Sequence, residues 1–514
     1  MADTWADQAE RIGADLHLEL DGGGSRRAAL IRALRSAVAE GRLRPGQRLP
    51  PYRSLAADLG LTRNTVASAY AELVAEGWLT ARQGSGTRVA GRSVSTARAV
   101  STGRAGSSGH AVSTGRSNAT ARSGSTARAG SPVRTPASAA VRTRRPAVVH
   151  DLGQGKPDAA SFPRTAWAAA ARRALTSAPN EAFGPGDPRG RPELREALAE
   201  YLARVRGVRT EPDRIVVCSG FAHALRLLFG GAGGSGRGVL RGPLAVEAYG
   251  LGFHRSLMEA ASVRTVPIEV DEQGARTEEL TSAARAVLLT PAHQFPTGGP
   301  LVSGRRAAAV EWARSSRGGL VLEDDYDGEF RYDREPVGAV QGLEPEHVIY
   351  LGSVSKSLSP AVRLGWMVLP GHLVDAVVGV KGEREAWASV LDQLTLAEFL
   401  ASGQYDRHVR RMRQRYRRRR DRLVSVLAER APHVSVSGIA AGLHAVLRLP
   451  AGTEAGTLAR AARAGVAVDG LSAFRHPDAP VSGDGLVVGY AAPAEHAYGP
   501  ALDALCAVLP APGR

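Results

Sequence analysis

Residues 348–366 read VIYLGSVSKSLSPAVRLGW. The four apolar residues from Val348 to Leu351 have the length and composition of a strand buried on both faces, and the Gly-Ser-x-Ser-Lys that follows cannot continue it. A strand ending in hydroxyl residues and a lysine suits the rim of an open parallel sheet, where ligands lie beyond the carboxyl ends of the strands. Lysine is also scarce: of 66 basic residues only Lys156, Lys356 and Lys381 are lysines. Lys156 follows a low-complexity stretch and Lys381 falls in a polar helical pattern. Lys356 is therefore the one amine expected at a strand end.

Working outward, similar apolar runs recur at 215–218, 244–246, 263–270, 287–289 and 320–322, alternating with helical patterns. This predicts an α/β domain over residues 148–514 with a mainly parallel sheet covered on both faces. After the run at 320–322 come Glu323, Asp324, Asp325 and Tyr326, and after the run at 215–218 come Ser219, Gly220 and a helix opening on Phe221 and Ala222. Arg363 stands seven residues past the lysine. A lone Ser-x-Ser-Lys carries no chemistry, but a lysine, a carboxylate, a phenol, hydroxyls, an arginine and a helix start form the donor set that pyridoxal phosphate requires. Lys356 would form a Schiff base with the cofactor aldehyde, which needs the amine deprotonated in a desolvated or cation-rich site. Asp324 would keep the pyridine nitrogen protonated, and Tyr326 would bond the ring oxygen. Ser353, Ser355, Arg363 and the turn at Gly220, Phe221 and Ala222 would hold the phosphate.

Residues 22–90 read differently. Leu30, Leu34 and Val38 recur at helical spacing until Gly41 and Pro45 stop the pattern, and a second short helix runs from about Tyr52 to Leu59. Thr62 is placed to cap a third helix, with Leu61 and Val66 as a staple across its start. Its first turn presents Arg63, Asn64 and Thr65. These suit guanine or phosphate, adenine, and phosphate respectively, so the segment reads as helix-turn-helix. Downstream, LTARQGSGTRV at 79–89 predicts two short strands around a glycine turn, a wing flanked by Arg82 and Arg88.

The formal net charge of +16 is unevenly spread: −5 over residues 1–21, +7 over 22–90, +10 over 91–147 and +4 over the remainder. The +7 is a fair footprint for double-stranded DNA. Residues 91–147 are almost entirely Ser, Thr, Gly, Ala and Arg in degenerate repeats, without Leu, Ile, Phe, Tyr or Trp. This composition predicts a disordered linker with an end-to-end distance of roughly 40 Å. Two cysteines, Cys218 and Cys506, exclude a four-cysteine zinc site or disulfide framework. An acidic N-terminus and no run of about 18 apolar residues lead us to expect a cytoplasmic protein with no membrane partner.

Residues 41–89, GRLRPGQRLPPYRSLAADLGLTRNTVASAYAELVAEGWLTARQGSGTRV, resemble the winged-helix domain of GntR-type bacterial regulators. The resemblance implies DNA contacts from Arg53, Thr62, Arg63, Asn64, Thr65 and Arg82, and from the wing at Gly84 and Gly86. Further on, DLGQGKPD, GDPRGRPELREALAEYL, RIVVCSG, TPAHQFPTG, EDDYDGEFRY and YLGSVSKSLSPAVRLGW are similar, in order, to the aminotransferase-like domain of MocR-type regulators. These join a GntR head to a fold-type I pyridoxal-phosphate domain. The likeness implies a smaller C-terminal subdomain, a homodimer, Lys356 as Schiff-base lysine, Asp324 and Tyr326 as ring partners and Arg363 as phosphate ligand.

Four departures stand out. The family places an aromatic residue over the cofactor ring where VEAYGLGFHR has Leu251, so Tyr249 is the expected substitute and Phe253 the alternative. Phe295 replaces an asparagine before Pro-Thr-Gly, with Gln294 expected to take over its contact, and Phe183 replaces a tyrosine near the partner's phosphate. Val487 stands where the fold carries an arginine that clamps a substrate carboxylate. The resulting expectation is a DNA-binding regulator that responds to the cofactor or to an amine or amino-acid effector. The alternative is an aminotransferase with an accessory DNA-binding head. Two further patterns carry less: Gly231-x-Gly233-x-x-Gly236 lies in the wrong context for a dinucleotide loop, and the eight arginines of 410–420 suit a solvated or interdomain helix face.

Overall fold

The structure, a computed structural model, describes residues 18, 20, 25–39, 42–43, 46–76, 78–82, 86–90, 148–231, 238–315, 319–332, 338–382, 388–481 and 483–511. The linker expectation for 91–147 falls outside these residues, as do Gly84 and the glycines at 233 and 236.

Among the described residues of the N-terminal region three helices, α1 (Arg26–Ala39), α2 (Tyr52–Asp58) and α3 (Arg63–Ala75), precede an antiparallel hairpin of β1 (Leu79–Arg82) and β2 (Gly86–Val89). Leu30, Leu34, Leu55, Val66, Ala69, Tyr70 and Leu73 are buried together with the hairpin's Leu79 and Val89. Each fully buried Leu or Val contributes about 1.5–3 kcal/mol, more than the roughly 1 kcal/mol net of a backbone hydrogen bond, so this apolar set decides which faces turn inward. Leu61 and Val66, the expected staple, both pack into that core.

The C-terminal region is built on a seven-stranded sheet. Its strands are β3 (Ile215–Cys218), β4 (Leu244–Glu247), β5 (Thr265–Ile268), β6 (Ala286–Leu289), β7 (Leu320–Asp325), β8 (Val348–Ser353) and β9 (Gly365–Val368), in the order β3-β9-β8-β7-β6-β4-β5. Helices α4 (Arg164–Ser177) and α5 (Pro192–Arg206) precede these strands, and α6 (Phe221–Phe229), α7 (Gly252–Ala260), α8 (Ser303–Ser315), α9 (Val374–Lys381) and α10 (Val390–Ala401) alternate with or follow them. All sheet pairings are parallel except those of β9, which runs antiparallel to both β8 and β3. The sequence reading missed β9, because Gly365 opens it and Trp366 interrupts its aliphatic run. The run at 263–270 shortens to Thr265–Ile268. Strand β7 extends to Asp325, so Glu323 and Asp324 lie within the strand and not after it.

A long helix α11 (Gln404–Arg430) buries Tyr405, Val409, Met412, Tyr416, Leu423 and Leu427 on one stripe. Its Arg415 and the buried Arg419 bond Glu495, and both also reach Asp158, while Arg411, Arg417 and Arg418 are exposed, so the arginine run divides between internal ion pairs and a solvated face. Beyond it, β10 (Ser435–Ser437), β11 (His444–Leu449), β12 (Asp469–Gly470) and β13 (Asp484–Gly489) form a smaller antiparallel sheet ordered β10-β11-β13-β12, flanked by α12 (Glu454–Arg463) and α13 (Glu495–Val508). Among the described residues no helix is long and apolar enough to cross a membrane.

Candidate functional site

Strand alternation sorts the acidic run on β7, because successive side chains point to opposite faces. Glu323 accepts the backbone N–H groups of Val340 and Gln341 at 2.9 Å, and Asp325 pairs with Arg206 at 2.6 Å and accepts the Tyr350 hydroxyl at 2.5 Å. Both are structural. Asp324 and the following Tyr326 share the other face and open into a cavity of about 290 Å³. The cavity brings together Lys356, Ser353, Ser355, Arg363, Gly220, Phe221, Ala222 and Tyr249, residues drawn from the ends of β3, β4, β7 and β8.

Lys356 is largely buried, and its Nζ donates to the Gly155 carbonyl at 2.6 Å. Burial lowers its pKa, which favours the neutral amine that nucleophilic chemistry needs. Gly155 has φ +72, and a Cβ there would lie 2.9 Å from that Nζ, so the close approach requires glycine. Burial, then the neighbouring Asp325, pushes Asp324 well above the usual carboxylate range. A carboxyl so placed is satisfied by a ligand N–H. The Tyr326 hydroxyl meets His293 Nδ1 at 2.9 Å, and the same nitrogen lies 2.9 Å from Asp327.

Helix α6 opens at Gly220, φ 108, with no side-chain cap. Its first-turn N–H groups are the orphan donors that, with the helix dipole, attract an anion. Ser219 N–H donates to His223 Nδ1 at 3.1 Å, and burial, then Lys381, holds that imidazole near pKa 4, neutral and able to accept. Arg363 takes a left-handed backbone, φ 54, uncommon for a residue with a side chain. A Cβ on Gly220 would lie 3.9 Å from its Nη1, which puts the guanidinium beside the turn. Ser355 N–H donates to Ser353 Oγ at 3.4 Å, and both serines line the cavity.

Several expectations need correction. Gln294 does not reach the cavity: its amide donates to Glu247 and to the carbonyls of Tyr249 and Phe295, and accepts from Thr297, because the side chain folds back over its own turn. Phe253 is 58% exposed and lines no part of the cavity, while Tyr249 lines it but packs into an apolar cluster with Phe295, Phe474 and Val487. Lys381 is not a polar-face residue. It is buried, with Nζ donating to the carbonyls of Pro188 and Val217 (2.8 Å to the latter). Phe183 lies exposed in a short 3-10 turn.

Further cavity residues were missed, among them Glu247 and His254. Glu247 accepts the Thr290 hydroxyl at 2.5 Å, and burial raises it to about 7. As the last residue of β4 it satisfied the strand-end rule that found Asp324. The His254 ring lies against Phe221, tilted by 40° with centroids 4.5 Å apart, and burial, then Lys356, lowers its pKa to about 4. No sequence signal marked it.

In the N-terminal region Thr62 Oγ1 accepts the Thr65 N–H at 3.2 Å and lies 2.9 Å from the Thr65 hydroxyl. Arg63 and Asn64 are exposed on the first turn of α3, and Arg53 is exposed on α2. Arg82 closes β1, and Gly86 opens β2 at φ +79, where a Cβ would lie 2.7 Å from Arg48 Nε. Arg88 donates to the Gly46 carbonyl at 2.9 Å.

Comparison with known proteins agrees with this division. Residues 27–89 match the family of bacterial regulatory proteins, gntR family, and residues 147–479 match aminotransferase class I and II. The HTH-type pyridoxine biosynthesis transcriptional regulator PdxR of Corynebacterium glutamicum is 30% identical over 81% of this chain and 82% of its own. The probable rhizopine catabolism regulatory protein MocR of Rhizobium meliloti is 31% identical over 90% and 89%. Among solved structures, a kynurenine aminotransferase from Pyrococcus horikoshii superposes with a TM-score of 0.62 at 24% identity, covering 71% of this chain and 91% of that one. At that identity it speaks for the fold alone.

Proposed function

We propose, on the premise that this chain belongs to the MocR- and PdxR-type transcriptional regulators, with a GntR head joined to an aminotransferase class I and II domain, that it binds pyridoxal phosphate at Lys356. Its hold on operator DNA then changes with the cofactor or an amine effector.

The observation that carries this reading is the convergence of Lys356, Asp324, Tyr326, Arg363 and the uncapped start of α6 on one cavity. The fit is chemical. A buried amine with a lowered pKa suits an aldehyde, a buried carboxyl that opens into the cavity suits a ring N–H, and an uncapped helix start beside an arginine suits a phosphate. When bound, the cofactor supplies an aldehyde with which primary amines condense. Lys356 holds that carbon, and Asp324 keeps a proton on the ring nitrogen. Tyr326, fixed by His293, donates toward the ring oxygen, while Ser353, Ser355, Arg363 and the Phe221 and Ala222 N–H groups orient the phosphate.

Arg63, Asn64 and Thr65 contact the operator, with Arg53, Thr62, Arg82, Gly84 and Gly86 fixing the backbone register. Two such heads in a homodimer read two half-sites, in a cytoplasmic protein. Titrating the purified protein with pyridoxal phosphate tests the reading. The wild type gains a visible absorption band and Lys356→Ala does not, and a wild type without the band overturns the assignment. Steady-state assays with amino donors and a keto acid separate the regulator from an aminotransferase, since sustained turnover would favour the latter.

A further inference from the structure

Beyond the groups assigned to the cofactor, the cavity walls include the apolar Leu251, Met258 and Phe295 with Tyr249 beside them, while the polar Glu247 and Thr290 bond each other. Tyr249 and Phe295 continue into a buried cluster with Leu471, Phe474 and Val487, in which the Phe295 and Phe474 rings meet edge to face at 5.3 Å. Val487 is fully buried at the centre of β13, opposite Val446 on one side and Asp469 on the other. The Asp469 carboxylate accepts the backbone N–H of Gln154, which itself lines the cavity.

Three cationic side chains line the cavity among the described residues: Lys356, Arg363 and Arg255. The first two are committed to the aldehyde and the phosphate. Arg255 donates from Nη1 to the carbonyls of Gly250 and Phe474 at 2.9 and 3.1 Å, and from Nη2 to that of Arg475 at 3.2 Å. These bonds pin its guanidinium against the backbone. A ligand carboxylate entering here would lose water and meet apolar side chains, with the remaining cation already bonded to three backbone carbonyls, which is unfavourable. A hydrocarbon or aromatic body in the same place is favoured by the burial of its surface.

We propose that the cavity selects primary amines with an apolar or aromatic body and no carboxylate on the amine-bearing carbon, and discriminates against the corresponding α-amino acids. The proposal rests on the reading that Lys356 holds the cofactor. The ligand's amine takes the place of the Lys356 amine at the aldehyde carbon. One carbon–nitrogen double bond forms as the other is released, the two protons the incoming nitrogen loses end on Lys356, and no oxidant enters.

The test is a spectral titration of the full-length protein loaded with pyridoxal phosphate, using matched pairs: phenethylamine against phenylalanine, tyramine against tyrosine, isoamylamine against leucine. Each amine is expected to saturate the change in the cofactor band at a concentration about tenfold or more below that of its amino acid. Amino acids that saturate at equal or lower concentration overturn the proposal while leaving cofactor binding intact. Absence of the band in the first place fails the cofactor reading, and the proposal with it. Val487→Arg, in protein that still shows the band, should narrow the gap by improving the amino acid of each pair, and an unchanged gap counts against the argument.

Discussion

Two helix starts in this molecule are built in opposite ways. Helix α3 begins behind Thr62, whose hydroxyl takes the Thr65 N–H, so what the helix presents outward is the exposed side chains of Arg63 and Asn64. Helix α6 begins behind Gly220, with no side-chain cap, so what it presents is backbone N–H. Reading a base edge requires a side chain of particular shape, whereas a phosphate is held as well by backbone donors of any sequence. A capped start therefore suits discrimination, and an uncapped one suits anchorage.

The contrast can be broken from either side. The largest effect is expected from Lys356→Ala, which should abolish the cofactor band while leaving operator affinity of the cofactor-free protein unchanged in a mobility-shift assay. Loss of both would mean that the variant misfolds. Arg363→Ala should weaken cofactor affinity by roughly tenfold to a hundredfold, the worth of about 1.5–3 kcal/mol for a charged hydrogen bond, as read by equilibrium titration of the band. Arg63→Ala should cost operator binding about 1–3 kcal/mol and leave the band untouched. If it contacts phosphate alone, the salt dependence of binding becomes shallower by about one counterion and the sequence preference stays. Thr62→Ala should lower the stability of the N-terminal region by about 1 kcal/mol in thermal denaturation, because the Thr65 N–H loses its acceptor.

A last test concerns pH and bears on the large domain alone. His408 is buried and donates from Nε2 to the Ser357 carbonyl at 2.8 Å, and burial lowers it from the ordinary 6.5 to about 4. The unfolded chain then binds a proton between those values that the folded chain does not. The stabilising contribution of this neutral imidazole is complete above 6.5 and lost as pH falls through about 4. Relative to wild type, His408→Gln should lose less stability between pH 6.5 and 4 in urea denaturation. An equal acid slope in both proteins would show that His408 does not set it.

The same two regions differ in how far the sequence alone discloses them. The DNA-facing site is contiguous, Thr62 to Thr65, so cap chemistry and helical spacing suffice to find it. The cavity is assembled from segments as far apart as Gly155 and Lys356, 201 residues in the chain, and only side chains at the ends of apolar runs announce themselves, as Asp324 and Lys356 do. Glu247 obeyed the same rule and was passed over because no chemistry had been assigned to a second carboxyl. Gly155 acts through a carbonyl, which every residue owns, and so left no trace. Gln294 and Lys381 were misjudged for a common reason: long polar side chains can fold back onto backbone carbonyls, and residue type does not reveal which way they turn. Strand β9 stayed hidden because the glycine that lets Gly365 approach Gly220 also weakens its strand pattern, a Cβ at Gly365 lying 2.8 Å from the Gly220 Cα.

The stretch just after the linker has a practical consequence for anyone dividing the protein into parts. His150 and Asp151 pair with Val466 and Ala467, Leu152 is fully buried and its carbonyl takes the Gly489 N–H, and Gly155 holds the Lys356 amine. A fragment begun at the first long helix of the large domain, near Arg164, would thus forfeit an edge strand, a core residue and the acceptor of its reactive nitrogen. The cut belongs before Val148, the first described residue of that body.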